Sequence, residues 1–237
     1  MKAALFDLDD TLYPEMEFVK SGFKVVSEYM ANVFSLDSGI LFNRMMEILN
    51  STGRGKVFDN ILGETGQFSN ENVLTLLYLY RDHSPDITLY DDVVPVITKL
   101  KDSGIKTAVI TDGMASVQQN KIKALGLESL VDVVIYTDIL GREYWKPSHV
   151  PFQTAFNLLG QKAPYAAVYV GDNPAKDFTG AEALGIEGVH IIRDEKAAST
   201  PVNFPGRRVI IRTLTEYFSR IEARYEQYNH RRQKHRG

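Results

Sequence analysis

The strongest constraint on this chain is a set of short runs that are mostly apolar rather than alternating, separated by longer amphipathic segments. Ala3–Phe6, Lys106–Ile110, Val131–Tyr136, Ala166–Val170 and Val189–Ile192 are such runs. A strand with one face in water alternates polar and apolar residues. A strand buried on both faces does not, and such strands occur in parallel sheets covered by helices. Between the runs, Val93–Ser103, Ala115–Leu125 and Ser148–Leu159 read as helices. They end at Gly104, Gly126 and Gly160, each suited to a left-handed cap. The rhythm from about residue 91 to 192 predicts an α/β fold with a Rossmann-like, doubly wound parallel sheet.

The first run breaks that rhythm. About 80 residues without a convincing strand follow Asp7. In them Glu17–Phe34 has apolar residues near helical spacing, and Ile40–Leu49 and Asn70–Tyr80 also read as helices. The expected organisation is a core of residues 1–13 and 89–212, a helical insertion at 14–88 after the first strand, and a C-terminal piece at 213–237. In that last piece Thr213–Tyr228 reads as a surface helix and His230–Gly237 as a frayed basic tail.

Composition removes several classes of function. With 237 residues, 44% of them hydrophobic, the chain can bury a substantial core. The absence of cysteine excludes a disulfide scaffold, thiolate zinc sites and a cysteine nucleophile. No apolar run approaches the roughly 20 residues that span a bilayer. The first residues reach acids too early for a signal peptide, so a cytoplasmic protein is expected. Net charge is −3, from 27 basic and 30 acidic side chains. Residues 207–237 carry nine basic and three acidic side chains, leaving −9 on residues 1–206. A body this acidic needs a cation if it is to accept an anionic ligand.

Open parallel sheets bind ligands at the carboxyl ends of their strands. There the sequence places Asp7, Asp9, Asp10 and Thr11 after the first strand and Thr111, Asp112 and Gly113 after the second. It places Lys146 beyond the third, at the entrance of a helix, and Asp172, Asn173 and Asp177 after the fourth. Clustered carboxylates raise one another's pKa unless a cation is present. Asp7, Asp9 and Asp172 offer the hard oxygens that magnesium prefers. Thr111 and the backbone amides of Asp112 and Gly113, at the opening of a helix, suit an anion. A lysine at a helix entrance opposes the macrodipole, and a buried carboxylate or a bound phosphate reverses that sign. Acids, a magnesium site, an anion cradle and a lysine together point to phosphoryl transfer.

These residues resemble the haloacid dehalogenase-like (HAD) superfamily. Phe6-Asp7-Leu8-Asp9-Asp10-Thr11-Leu12 is similar to its motif I in the DxDxT form of the phosphatase branch. Ile110-Thr111-Asp112-Gly113 resembles motif II, Lys146-Pro147 motif III, and Gly171-Asp172-Asn173-Pro174-Ala175-Lys176-Asp177 motif IV. The four occur in family order across residues 2–192.

The resemblance implies roles. Asp7 is the nucleophile that forms an aspartyl-phosphate, its second oxygen on magnesium. Asp9 is the acid and base and a metal ligand through its carbonyl, and Thr11 orients it. Thr111, with the amides of Asp112 and Gly113, binds phosphate, while Lys146 holds both phosphate and Asp7. Asp172 completes the metal shell, and Asp177 and Asn173 support the site. The insertion at 14–88 occupies the place of the family's type I helical cap, which reads the leaving group. The subgroup resembled is that of pyrimidine 5'-nucleotidase-like and sugar-phosphate phosphatases.

The expected function is thus a magnesium-dependent phosphatase of a small phosphomonoester, either a sugar phosphate or a nucleoside monophosphate. A phosphomutase and a non-catalytic phospho-acceptor or binding module are the alternatives. The partner expected is a small phosphorylated metabolite, with neither nucleic acid nor membrane. Other features have plainer readings. Asp10 is a solvated or capping acid, Gly53-Arg54-Gly55-Lys56 a turn rather than a phosphate loop, and Phe18, Phe23, Tyr29 and Phe34 core of the insertion. Thr111 as a helix cap is the plain alternative to a phosphate ligand.

Overall fold

The computed structural model describes residues 1–193 and 208–219. Five of its strands are those the apolar runs predict: β1 (Ala3–Phe6), β2 (Lys106–Thr111), β3 (Val133–Tyr136), β4 (Ala167–Gly171) and β5 (Glu187–Ile191). A sixth, β6 (Val209–Ile211), was not foreseen; three residues are too few to show a period. The strands form one sheet in the order β3-β2-β1-β4-β5-β6, and every neighbouring pair is parallel.

All four residues of β1 are fully buried, as a central strand covered on both faces requires. Ala3 and Leu5 join a core with Phe152, Phe156, Tyr169 and Phe178. Phe6 lies near Phe218, their ring centroids 6.2 Å apart. Phe218 belongs to a helical stretch over 214–219, where the predicted C-terminal helix begins. The rest of that helix and the basic tail lie outside the described residues.

The chain divides into two compact units: Met1–Pro14, Leu89–Ala115 and Gly126–Gly237 form one, Glu15–Thr88 and Ser116–Leu125 the other. Besides the sheet, the first unit contains α5 (Val93–Asp102), α7 (Leu127–Leu130), α8 (Thr137–Leu140), α9 (Val150–Leu158) and α10 (Thr179–Ala183). Glycines at 104, 126 and 160 follow helices with φ of 71°, 65° and 65°, the left-handed conformation their positions predict.

The second unit holds α1 (Glu15–Phe34), α2 (Ser38–Thr52), α3 (Val57–Glu64) and α4 (Asn70–Asp82), and most of α6 (Ala115–Ala124). Helix α3 was not foreseen, and the allocation of 116–125 to this unit cannot be read from sequence order. Val19, Phe23, Val26, Met30, Met45, Ile61 and Leu76 form its core, with Tyr29 and Phe34 packed against it. Phe18 is buried here too, with Tyr80 edge-on at 5.5 Å, so these aromatics are core. Arg54 makes a two-pronged ion pair with Glu15 at 2.6 and 2.7 Å, which fixes the turn after α2. No described helix is long and apolar enough to cross a membrane.

Candidate active site

The sheet register places the polar residues. Phe6 pairs with Val109 of β2 and Val170 of β4, so the residues after these strands share one edge of the sheet. Asp7 continues the ladder by one bond, donating its N–H to the Val170 carbonyl at 2.9 Å. Its side chain is buried, and so is the ammonium of Lys146. Lys146 Nζ donates to Asp7 Oδ1 at 2.5 Å, to Asp177 Oδ1 at 2.8 Å and to Tyr169 Oη at 3.0 Å. Tyr169 Oη in turn donates to Asp177 Oδ1 at 3.1 Å. All three ammonium protons are thereby used.

Lys146 lies in the loop that leads into α9, whose N-cap is His149. Its charge is balanced by carboxylates and needs no argument from the helix dipole. Burial opposes that charge, but Asp7, Asp177 and Asp112 outweigh it and hold the lysine above its ordinary pKa. Asp7 is pushed up by burial, against the pull of Lys146, with Asp177 adding to the rise. Lys146 starts from the far higher value, so it keeps the proton.

Motif IV supplies the second carboxylate and the brace. Asp177 Oδ2 accepts the Asn173 N–H at 2.8 Å, and Asn173 Oδ1 accepts the Ala175 N–H at 3.1 Å, so Asn173 shapes the loop. Gly171 is required by close approach: a Cβ there would stand 2.5 Å from Asp177 Oδ2. Asp172 is pushed up to about 8, by burial first and then by Asp7, Asp177 and Asp10. His190 Nε2 lies 2.9 Å from the Asp172 carbonyl and donates to it.

In motif II, Thr111 Oγ1 is buried and has no hydrogen-bond partner, so it does not cap α6. Asp138 does that work instead, Oδ2 accepting the Ala115 N–H at 3.0 Å. The Asp112 carboxylate is directed at the framework. Its Oδ1 accepts Thr137 Oγ1 at 2.8 Å and the Lys146 N–H at 3.2 Å. It therefore fixes the backbone of Lys146, leaving the amides of Asp112 and Gly113 as the groups suited to an anion.

Motif I turns sharply after β1. The Leu8 carbonyl accepts N–H groups from Thr11 (3.3 Å) and Leu12 (2.9 Å), and Asp10 has φ of 51°. Aspartate is among the few non-glycine residues that tolerate this region. Asp9 Oδ1 accepts a hydrogen bond from Tyr13 Oη. The Thr11 hydroxyl is buried and bonds to nothing, so Thr11 is linked to Asp9 through the backbone of the turn.

The structure brings Asp7, Asp172 and Asp177 together, with one carboxylate oxygen of each within 4.8 Å of the others. The Asp9 carboxylate stands apart, on Tyr13. A divalent cation fits this donor set. Asp7 Oδ2 is buried without a partner, and Asp172 shares the site with two further acids that raise its pKa. Asp177 Oδ1 already serves Lys146 and Tyr169, so Asp7 and Asp172 are the ligands best placed for a metal.

Sequence reasoning missed Tyr169, because an aromatic inside an apolar strand reads as core. Its ring does pack on Phe152, edge-on at 4.9 Å. Tyr169→Phe keeps that packing and strips one acceptor from a buried ammonium, which should cost about 1–3 kcal/mol in denaturant unfolding. Unchanged stability would show that the hydroxyl is dispensable. The acid cluster makes a second prediction. Between the ordinary carboxylate range and about 8, folded Asp172 retains a proton that the unfolded chain has lost. Metal-free stability should therefore fall as pH rises across that window. Magnesium, displacing that proton, should raise the melting temperature more at pH 8 than at pH 6. A rise equal at the two pH values, or larger at pH 6, would remove Asp172 from the cation site.

Residues 4–191 match the family of haloacid dehalogenase-like hydrolases. A glyceraldehyde 3-phosphate phosphatase of Methanocaldococcus jannaschii is 32% identical over 203 residues, covering 81% of this chain and 86% of that protein. Its counterpart from Methanopyrus kandleri is 30% identical over 210 residues, 86% of this chain and 89% of that one. Among solved structures, a HAD phosphatase from Thermococcus onnurineus superposes with a TM-score of 0.60 at 26% identity, covering 93% of this chain and 98% of that one. The chain belongs to the haloacid dehalogenase-like hydrolase family and, like these relatives, is a phosphoric monoester hydrolase.

Proposed function

We propose that the chain is a magnesium-dependent phosphatase that hydrolyses a small phosphomonoester of the sugar-phosphate class through an aspartyl-phosphate on Asp7. One observation carries this reading. A buried carboxylate, Asp7, has one oxygen on Lys146 and the other without a partner, with Asp172 beside it. The names of the similar phosphatases support a sugar phosphate over a nucleotide, and hydrolysis over isomerisation.

Asp7 and Asp172 would hold the magnesium ion, with the Asp9 carbonyl as the third protein ligand implied by the family resemblance. When bound there, the ion would neutralise charge on the phosphoryl group and on Asp7, so that an anion can approach an anion. The remaining work falls to the chain's own groups. Lys146 keeps Asp7 ionised and oriented and faces the incoming negative charge. The Thr111 hydroxyl, buried and free to donate, meets a phosphoryl oxygen together with the amides of Asp112 and Gly113.

An Asp7 oxygen forms a bond to phosphorus while the bond to the leaving oxygen breaks. The electron pair departs with that oxygen, which takes its proton from Asp9. Asp9, now a carboxylate, removes a proton from water as the water attacks phosphorus. The bond to Asp7 breaks, and inorganic phosphate leaves. Tyr13 Oη, on Asp9, fixes which way that carboxyl faces. Selection of the leaving group belongs to residues outside this cluster, and the helical insertion takes the place of the family's cap.

Purified protein should release inorganic phosphate from members of a panel of aldose, ketose and triose phosphates, and only when magnesium is supplied. Asp7→Asn should lower turnover at least about 10⁴-fold, since it removes the nucleophile while leaving the fold and the other site residues in place. Failure to release phosphate from the whole panel would refute the phosphatase reading. Turnover retained by Asp7→Asn would refute the covalent route.

A further inference from the structure

Arg193 follows β5 and is used by none of the steps above, yet it is buried and multiply bonded. Its side chain is 7% exposed. Nε and Nη2 both donate to the carbonyl of Thr11, at 3.1 and 2.9 Å. Nη1 donates to both carboxylate oxygens of Asp92 at 2.9 Å, and the guanidinium stacks over the Tyr90 ring at 4.2 Å. Asp92 Oδ2 also accepts the Leu214 N–H at 2.6 Å. Tyr90 donates its N–H to the Leu12 carbonyl at 3.0 Å.

A buried ion pair of this kind gives little net stability, because desolvation consumes most of the attraction. What it fixes is direction. The motif I turn has three carbonyls taken: Leu8 within the turn, Leu12 by Tyr90, and Thr11 by two N–H groups of one rigid fork. Asp9 and the left-handed Asp10 lie inside that turn. Lysine cannot copy the fork, since an ammonium does not present two parallel N–H groups in a plane.

We infer that Arg193 is a positioning residue for Asp9, acting through the Thr11 carbonyl, with Asp92 aiming the guanidinium. The inference rests on the reading of Asp9 as general acid. In the first step a displaced acid matters only when the leaving oxygen needs a proton, whereas its loss as base in the second step is common to all esters. An alkoxide needs one and a nitrophenolate does not, so the defect should depend on the leaving group.

The test compares kcat/KM, which reads only the steps up to release of the leaving group, for glycerol phosphate and p-nitrophenyl phosphate in the full chain, Arg193→Lys, Asp92→Asn and, as control, Asp9→Asn. Arg193→Lys should lose about tenfold or more in kcat/KM on the alkyl ester and under about threefold on the aryl ester. Asp92→Asn should lose in the same sense by a smaller factor, and it stands in if the lysine variant does not fold. Equal losses on the two esters, or no loss, overturn the inference while Asp9→Asn still discriminates between them. If Asp9→Asn itself fails to discriminate, the general-acid reading falls and the inference falls with it.

Discussion

The site rests on one buried ammonium shared among Asp7, Asp177 and Tyr169. Two carboxylates placed this close in a dry interior cannot both ionise without compensation, and Lys146 supplies it. The pair is not a source of net stability, since burying both charges costs about as much as their attraction returns. Removing one partner would instead leave an uncompensated charge in the interior, a loss of about 3–5 kcal/mol. Much of the surrounding structure serves to hold this contact. Asp112 fixes the Lys146 backbone, Asn173 fixes Asp177, and Gly171 leaves room for the Asp177 carboxylate.

The sheet and the polar residues at its edge were legible in sequence for a common reason. Strands buried on both faces are mostly apolar, so Asp7 and Asp172 stand out as the first polar residues beyond β1 and β4, and Thr111 as the polar residue that ends β2. What escaped was of two kinds. Short elements such as β6 and α3 lack the length to show a period. Long-range partnerships leave no local trace: Tyr169 looks like any core aromatic, and Arg193 meets Asp92 across 101 residues. The orientation of Asp112 and the departure of Asp9 from the acid cluster toward Tyr13 are likewise decided by packing.

The acidic balance of residues 1–206 takes on a local meaning. Asp7, Asp172 and Asp177 concentrate negative charge where the proposed reaction needs an anion to bind, and among the described residues Lys146 is the lysine bonded to them. Net charge counts this as a deficit. In the site it is a set of carboxylates whose donors suit a cation, one Asp7 oxygen having no hydrogen-bond partner, and the sign of the local field depends on what that set holds.

The most direct test is a rapid quench of the enzyme during turnover, followed by borohydride reduction and peptide mass spectrometry. An acyl phosphate on Asp7 would be reduced to homoserine at position 7, and only when substrate and magnesium are present. An unmodified Asp7 in steady turnover, or a label on any other residue, would contradict nucleophilic catalysis by Asp7.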